Sequence, residues 1–315
     1  MLNMGMLFDE LSEAYLKKAG VDDIIGGVPV PVNPDEEGEL STLGIALNMA
    51  RVVGGDSNYP YAEQYIRYIK HIAGDDAAAL IISEGAKMAD RGDAELACML
   101  FRAALAIDPK SLNALYLYGR ACKEVYEREE QTEDYVGSFK AESMEAFELL
   151  TMLHPDFDMG YYFLGYDYLN LGLYTKAHIT WETFLELHDE DDELKQEVEE
   201  RISRLNDPVV IEQGCNKVMS GDYQGGIAIL EPYMEGAYEN WWPLWYYLGV
   251  AESALGNTEN AISRYKKALV YSPSNTDIMK ELIAMYQAVG DDTNVEKYSK
   301  KIDIILNNIR EETLN

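Results

Sequence analysis

Few side chains in this chain are placed for covalent or metal chemistry. Its four histidines, His71, His154, His178 and His188, are the natural general bases and metal ligands. None stands in an HxxxH or HExxH spacing, and no Ser-His-Asp grouping accompanies them. They are expected as solvated or packed rings. The three cysteines, Cys98, Cys122 and Cys215, match no zinc or redox pair, and an odd count argues against a disulfide framework. Each sits at a small apolar position and is expected as core filler. The acidic run HDEDDE, from His188 to Glu193, invites a calcium reading but lacks the glycine and ligand spacing of a calcium-binding loop. Carboxylates there suit a helix N-terminus instead. No GxxxxGK[ST] or GxGxxG occurs. The expectation is therefore no catalytic residue, no metal and no cofactor, and a protein that is not an enzyme.

Composition narrows the partners. The 315 residues are long enough for one to three domains or one elongated array, and 47% of them are apolar. Lys and Arg total 26 against 56 Asp and Glu, a formal charge of −30. That field repels phosphate backbones and anionic lipid, so neither nucleic acid nor a membrane is an expected partner. It serves solubility first and attraction of a basic partner second. The opening MLNMGMLFDELSEAY has no basic lead and no continuous apolar run, unlike a signal peptide. No stretch has 18 consecutive apolar residues, so no transmembrane helix is expected. A reducing, cytoplasmic setting follows.

The elements come next. Met6 to Ala19 reads as a short helix stopped by Gly20. The segment DDIIGGVPVPVNPDEEGE reads as an extended loop, because proline at alternate positions disfavours both helix and central strand. Val28 to Val32 could lie in the protein's own groove or a neighbour's, as a substitute ligand. Leu40–Val53 and Tyr61–Ala73 read as a helical hairpin about the turn GGDSN, with Leu43, Leu47 and Ala50 facing Tyr65, Ile66 and Ile69.

From Ala78 a pattern repeats. A glycine marks the first helix of each copy: Gly85, Gly119, Gly165, Gly214 and Gly249. A second glycine follows in four copies, at Gly92, Gly172, Gly221 and Gly256. Then come a small residue (Ala97, Ala177, Gly226, Ala261) and a bulky one (Phe101, Trp181, Leu230, Tyr265). Several copies close on proline, at Pro109, Pro155 and Pro273. Small residues at helix crossings allow close approach, and such hairpins bury their apolar faces only by stacking on neighbours. Ala78 to Leu112, and Trp242 to Thr276, are 34 residues apart. Leu112 to Asp158 carries 12 extra, read as an extended first helix and a loop over 127–139. Asp158 to Asp207 carries 15 extra, read as one additional helix with Leu194, Val198, Ile202 and Leu205 as its apolar stripe. The final helix, from Asn294 to about Arg310, reads as a cap with Tyr298, Ile302, Ile305 and Ile309 on one face.

These residues resemble the tetratricopeptide repeat (TPR), a 34-residue helix–turn–helix. The copies from Asp158 and Trp242 match best: Leu164-Gly165, Tyr168, Gly172, Tyr174, Ala177, Trp181 and Phe184 in one, Trp245, Leu248-Gly249, Ala261, Tyr265, Ala268 and Pro273 in the other. The resemblance covers about residues 76–302, and 40–75 more loosely. It implies an all-α helical-hairpin solenoid, an α-α superhelix of about 16 helices. The organisation read from the chain is an N-terminal helix and linker over 1–38, a first array over 39–191, an extra helix over 192–206, and a second array with its cap over 207–315.

The resemblance also implies a site. In that family the first helix of each repeat lines a concave groove that holds a peptide. Carried onto this chain, the groove residues are Asn113, Tyr116, Arg120 and Lys123, then Tyr162, Tyr166 and Asn170 with Met159, then Tyr246 and Val250, with Lys280 and Gln287 in the last copy. The groove is thus aromatic, with Arg120 and Lys123 as isolated basic points; the alternative reading packs part of the tyrosine set as framework. One TPR subclass grips a carboxylate tail with Lys and Asn, but here the matching positions are Ile82, Ala86, Leu117, Met159 and Phe163. An apolar, aromatic or basic segment is the expected ligand rather than an acidic tail. Another subclass joins TPRs to a DNA reader, for which this chain has no basic recognition helix. The expected function is a non-catalytic protein-interaction module; the alternative is a scaffold forming a homodimer through Ile302, Ile305 and Ile309. Trp241 and Trp242, beside Pro243, read either as an exposed anchor or as a staple on Tyr233 and Tyr238.

Overall fold

A computed structural model describes residues 6–32, 41–128, 133–190 and 192–313. Calls on Leu40, on residues 129–132 and on the side chain of Ile309 lie outside the described residues. The chain divides into two compact units, Met1–Gly172 with Ile179–Val198, and Leu173–His178 with Glu199–Asn315. The fold is all-α and TPR-like apart from one small sheet.

That sheet corrects the reading of the N-terminus. β1 (Leu7–Glu10) and β2 (Pro29–Val32) pair antiparallel, Leu7 opposite Val32 and Glu10 opposite Pro29. The helix begins only at α1 (Glu13–Ala19), where Ser12 accepts the Tyr15 N–H and Gly20 closes the end at φ 66°. Proline is tolerated in β2 because a strand with one neighbour needs N–H donors only at alternate residues. After α2 (Asp22–Ile25), Val28 and Val30 are buried in the unit's own core, and the Tyr65 hydroxyl donates to the Pro29 carbonyl at 2.5 Å.

The first hairpin is α3 (Thr42–Gly55) and α4 (Ala62–Ala73), with GG of the presumed turn inside α3. Leu43 is 43% exposed; Ile45, Met49 and Val53 join Tyr65 and Ile69 in the core. α3 packs on α6 (Ala94–Ile107) so closely that a Cβ on Gly54 would collide with the Met99 carbonyl. This hairpin therefore sits differently from those that follow, in which each helix packs on its sequence neighbour: α5 (Ala77–Asp90) on α6, and α6 on α7 (Leu112–Tyr126).

The repeat markers are helix crossings. A Cβ at Gly85 would lie 2.6 Å from the Phe101 ring, and one at Gly249 2.7 Å from Tyr265. The Gly165 position meets the Trp181 ring, and Gly214 meets Leu230. In the interrupted copy Gly119 meets Phe147. The second helix, α8 (Glu133–Leu153), is lengthened to 21 residues against 14 in α6, while the first, α7, has 15 and ends at Tyr126; Phe139, in the expected loop, is buried. The second glycine turns the chain. Gly256 has φ 79°, and the next residue, Asn257, donates its N–H to Glu252 O, five residues back. An acid or amide at the following N-cap then receives the new helix: Asp93 accepts from Leu96 N and Asp222 from Gly225 N.

α9 (Asp158–Asn170) and α10 (Tyr174–Leu187) complete the first well-matched copy. The segment read as a separate extra helix continues into the next element as α11 (Glu193–Met219), with Pro208 inside it. Its stripe is used, since Val198 and Leu205 are buried. The second unit continues through α12 (Tyr223–Leu230), α13 (Trp242–Ala254), α14 (Thr258–Tyr271), α15 (Thr276–Ala288) and α16 (Asp292–Thr313). Tyr298 of α16 stacks on Tyr286 of α15, centroids 6.0 Å apart, and Ile302 and Ile305 pack partly buried against the same cluster.

Candidate functional site

Seven of the nine groove residues lie in the first unit, on α7 and α9; Tyr246 and Val250 lie in the second, on α13. Within the first unit they form a ladder of cations and rings. The Arg120 guanidinium lies 5.5 Å from the Tyr116 centroid and 5.7 Å from Phe163. Lys123 Nζ lies 5.1 Å from the Tyr166 ring and 3.2 Å from Glu127 Oε1. The two basic residues read as isolated points are thus engaged with neighbours. Tyr116 is fixed by edge contact with Phe157 at 5.3 Å. Asn113 and Asn170 are exposed.

The tyrosines of α9 are more enclosed than an open groove requires. Tyr162 and Tyr166 meet edge to face at 5.2 Å, and Tyr166 meets Trp181 at 5.0 Å. Both hydroxyls donate to one carboxylate at the start of α11, Tyr166 to Glu197 Oε1 at 2.5 Å and Tyr162 to Oε2 at 3.2 Å. Glu197 gave no signal in the sequence, because its partners come from another helix.

What remains open is a hollow of about 390 Å³ among α5, α7 and α9. Arg120 and Lys123 line it, with Ala86, Leu117 and Phe163 as apolar surface and Asp90, Glu124 and Glu127 as acids. Ala86, Leu117 and Phe163 are three of the positions where a carboxylate clamp would need Lys or Asn. The lining thus holds two cations and three carboxylates, of which Glu127 pairs with Lys123 and Glu124 with Arg128. In the second unit Tyr246 touches Trp242, Tyr247 and Tyr265, and burial raises its hydroxyl pKa; Val250 is packed between two core clusters.

The three cysteines, His188 and Asp167 are packed or bonded within the fold. Cys98, Cys122 and Cys215 are buried, with Cys98 and Cys122 sulfurs 3.7 Å apart. Burial pushes the Cys215 thiol up to about 12 and the Cys122 thiol higher still. His188, 9% exposed, stacks on Phe184, and its Nδ1 meets Asp158 Oδ2 at 2.6 Å and its Nε2 meets Asp192 Oδ1 at 3.2 Å. The hydrogen bond to Asp158 is the main cause that raises its pKa. Asp192 also accepts the Leu194 and Lys195 N–H groups, so the acidic run caps α11. The buried Asp167 accepts from Tyr126 at 2.9 Å and Ser143 at 2.8 Å, and burial raises its pKa. Among the described residues no three His, Cys, Asp or Glu side chains gather as a metal-binding set, and no helix is long and apolar enough to cross a membrane.

No protein-family model matches the chain, and no curated protein does. Among solved structures it is similar to MamA from Desulfovibrio magneticus RS-1, with 16% identity over 76% of this chain and 98% of that one and a TM-score of 0.30. It is also similar to a tetratricopeptide repeat protein from Parabacteroides merdae, with 15% identity over 84% of this chain and 93% of that one and a TM-score of 0.35. A third is the hetero-tetramer Cut9-Hcn1, with 14% identity over 84% of this chain and 50% of that one and a TM-score of 0.35. The class of this protein rests on its own geometry: helical hairpins of the TPR kind, five of which cross at a glycine set against a ring or leucine.

Proposed function

We propose that this protein is a non-catalytic interaction module whose first unit holds an apolar, positively charged peptide or helix of a partner protein among α5, α7 and α9. The observation that supports this reading is the hollow of about 390 Å³, apolar at Ala86, Leu117 and Phe163 and rimmed by Asp90, Glu124 and Glu127. Arg120 and Lys123, held against rings, shape its wall and give polar contacts to a bound main chain. The tyrosines, tied to Glu197, act mainly as a rigid frame.

A peptide library displayed against the purified chain tests this. Enriched sequences should combine Lys or Arg with aliphatic or aromatic residues. Ala86→Trp, which fills the hollow, should reduce their affinity by at least about tenfold, the scale of losing one buried anchor. Enrichment of acidic sequences, or binding indifferent to Ala86→Trp, refutes the site. The second reading, self-association through α16, draws on its exposed Ile304 and Leu306 (60% and 43%), since Ile302 and Ile305 pack inward. Sedimentation showing a monomer at high concentration rejects it.

A further inference from the structure

The second unit holds an aromatic hollow of its own. Tyr174 at the start of α10, Pro208 within α11, and Tyr238 and Trp241 ahead of α13 enclose about 190 Å³. Tyr174 and Trp241 meet edge to face, centroids 6.2 Å apart and planes at 68°, which makes a corner and not a slot. Tyr238 is braced from behind by Tyr233 at 5.8 Å. All four lining residues are half-buried.

Two carboxylates are tied to residues that neighbour these rings. Asp207 directly precedes Pro208 and is exposed, and its Oδ1 accepts the Tyr233 hydroxyl at 3.3 Å. Burial, then Asp207, then Tyr174 raise the Tyr238 hydroxyl pKa, so this carboxylate acts on the ring that lines the hollow. Glu212 lies one turn along α11 from Pro208, and its Oε2 accepts the Thr175 N–H at 2.7 Å, beside Tyr174.

Electron-rich ring faces attract a cation, and the attraction counts most when the cation sheds its water easily. A plain ammonium is strongly hydrated and loses much on entering an apolar corner. A methylated ammonium keeps the charge, hides it under methyl groups, and has the size of a cavity of this volume. We propose that this hollow binds a methylated ammonium group, the head of a small quaternary amine or of a methylated lysine side chain. A proline ring would use the same aromatic surfaces but would gain nothing from Asp207, Glu212 or a chain charge of −30. The Trp241 singled out in the sequence thus serves as one wall of the site while packing with Tyr233 and Tyr238 in the core.

Isothermal titration of the full chain tests the proposal with four probes: choline, its neutral tert-butyl isostere, a short peptide carrying trimethyl-lysine, and a proline-rich peptide. Choline or the trimethyl-lysine peptide should bind saturably, and the tighter of the two identifies the source. The isostere should bind at least about tenfold more weakly. Tyr174→Leu keeps an apolar side chain without a π face; it should weaken binding several-fold with an unchanged circular dichroism spectrum. Asp207→Asn should weaken it less, and Ala86→Trp in the first unit should leave it unaltered. Equal binding of the isostere, binding of the proline-rich peptide alone, no saturable binding of any cation, or indifference to Tyr174→Leu overturns the proposal.

Discussion

Gly165 meets the Trp181 indole so closely that no Cβ fits between α9 and α10, and the indole N–H is already committed to the Tyr162 carbonyl at 3.1 Å. The ring cannot retreat without losing that bond and its edge contact with Tyr166. Gly165→Ala should therefore destabilise the protein by about 1–3 kcal/mol, the usual range for overpacking, read from the urea unfolding midpoint. Gly249→Ala should cost less, because the Tyr265 ring, 2.7 Å away, is held by packing and ring contacts and can shift more freely. His188 gives a second residue-scale outcome. Its folded pKa is raised, so protonated His188 contributes stability that is complete below an unfolded value of about 6.5 and lost as pH rises through the folded one. Wild type should thus lose its advantage over His188→Gln as pH rises from 5 to 9 (a range of about four units around that value), measured by thermal melting. An advantage that grows with pH contradicts the Asp158–His188–Asp192 bridge. At the same scale, the three buried thiols should resist iodoacetamide in the native protein and react on unfolding, because a buried thiol forms little thiolate.

At the scale of elements, one device recurs: glycine in the left-handed region ends one helix, and at Asp93, Asp222 and Asp291 a carboxylate caps the next. Asp93 does both jobs beside Gly92: its N–H donates to Met88 O, and its carboxylate accepts the Leu96 N–H. Asp93→Ala should cost about 1 kcal/mol, and Asp93→Asn much less, because the amide oxygen also accepts the Leu96 N–H. Chemical denaturation distinguishes the two. α8 shows why element boundaries escaped the sequence. The Gly119–Phe147 crossing needs a ring on the second helix, and that helix is extended by about two turns ahead of the Phe147 that meets the glycine. α11 likewise runs through Asp207-Pro208, a pair that reads locally as a break, because Val198, Leu205 and Ile211 are all buried along its length.

The whole molecule carries −30, and its ion pairs are mostly exposed ones of small worth. Self-repulsion should dominate at low salt, so the melting temperature should rise as sodium chloride is added from low concentration toward about 0.3 M, where the Debye length falls well below 10 Å. A melting temperature that falls with salt would mean that specific ion pairs outweigh repulsion. The same screening should weaken capture of a basic peptide, so affinity and stability should move in opposite directions with ionic strength.

The repeat spacing, through its resemblance to the TPR, already implied the fold, since glycine at most crossings and turns and a carboxylate at several caps are local requirements of a stacked hairpin. It also determined that the cysteines are core and that the acidic run caps a helix. The candidate site was half legible. Arg120, Lys123 and the apolar trio Ala86, Leu117 and Phe163 follow from repeat register, which fixes the face a side chain occupies. Register says nothing of what comes from elsewhere to cover that face: Glu197 from α11 ties down Tyr162 and Tyr166, and Phe157 braces Tyr116. Pairing of β1 with β2 across eighteen intervening residues, and the meeting of Tyr174, Pro208, Tyr238 and Trp241, are likewise contacts between distant segments. Local spacing sets helices and their faces; only the tertiary fold decides which faces stay open, because burial is a property of neighbours that the sequence separates.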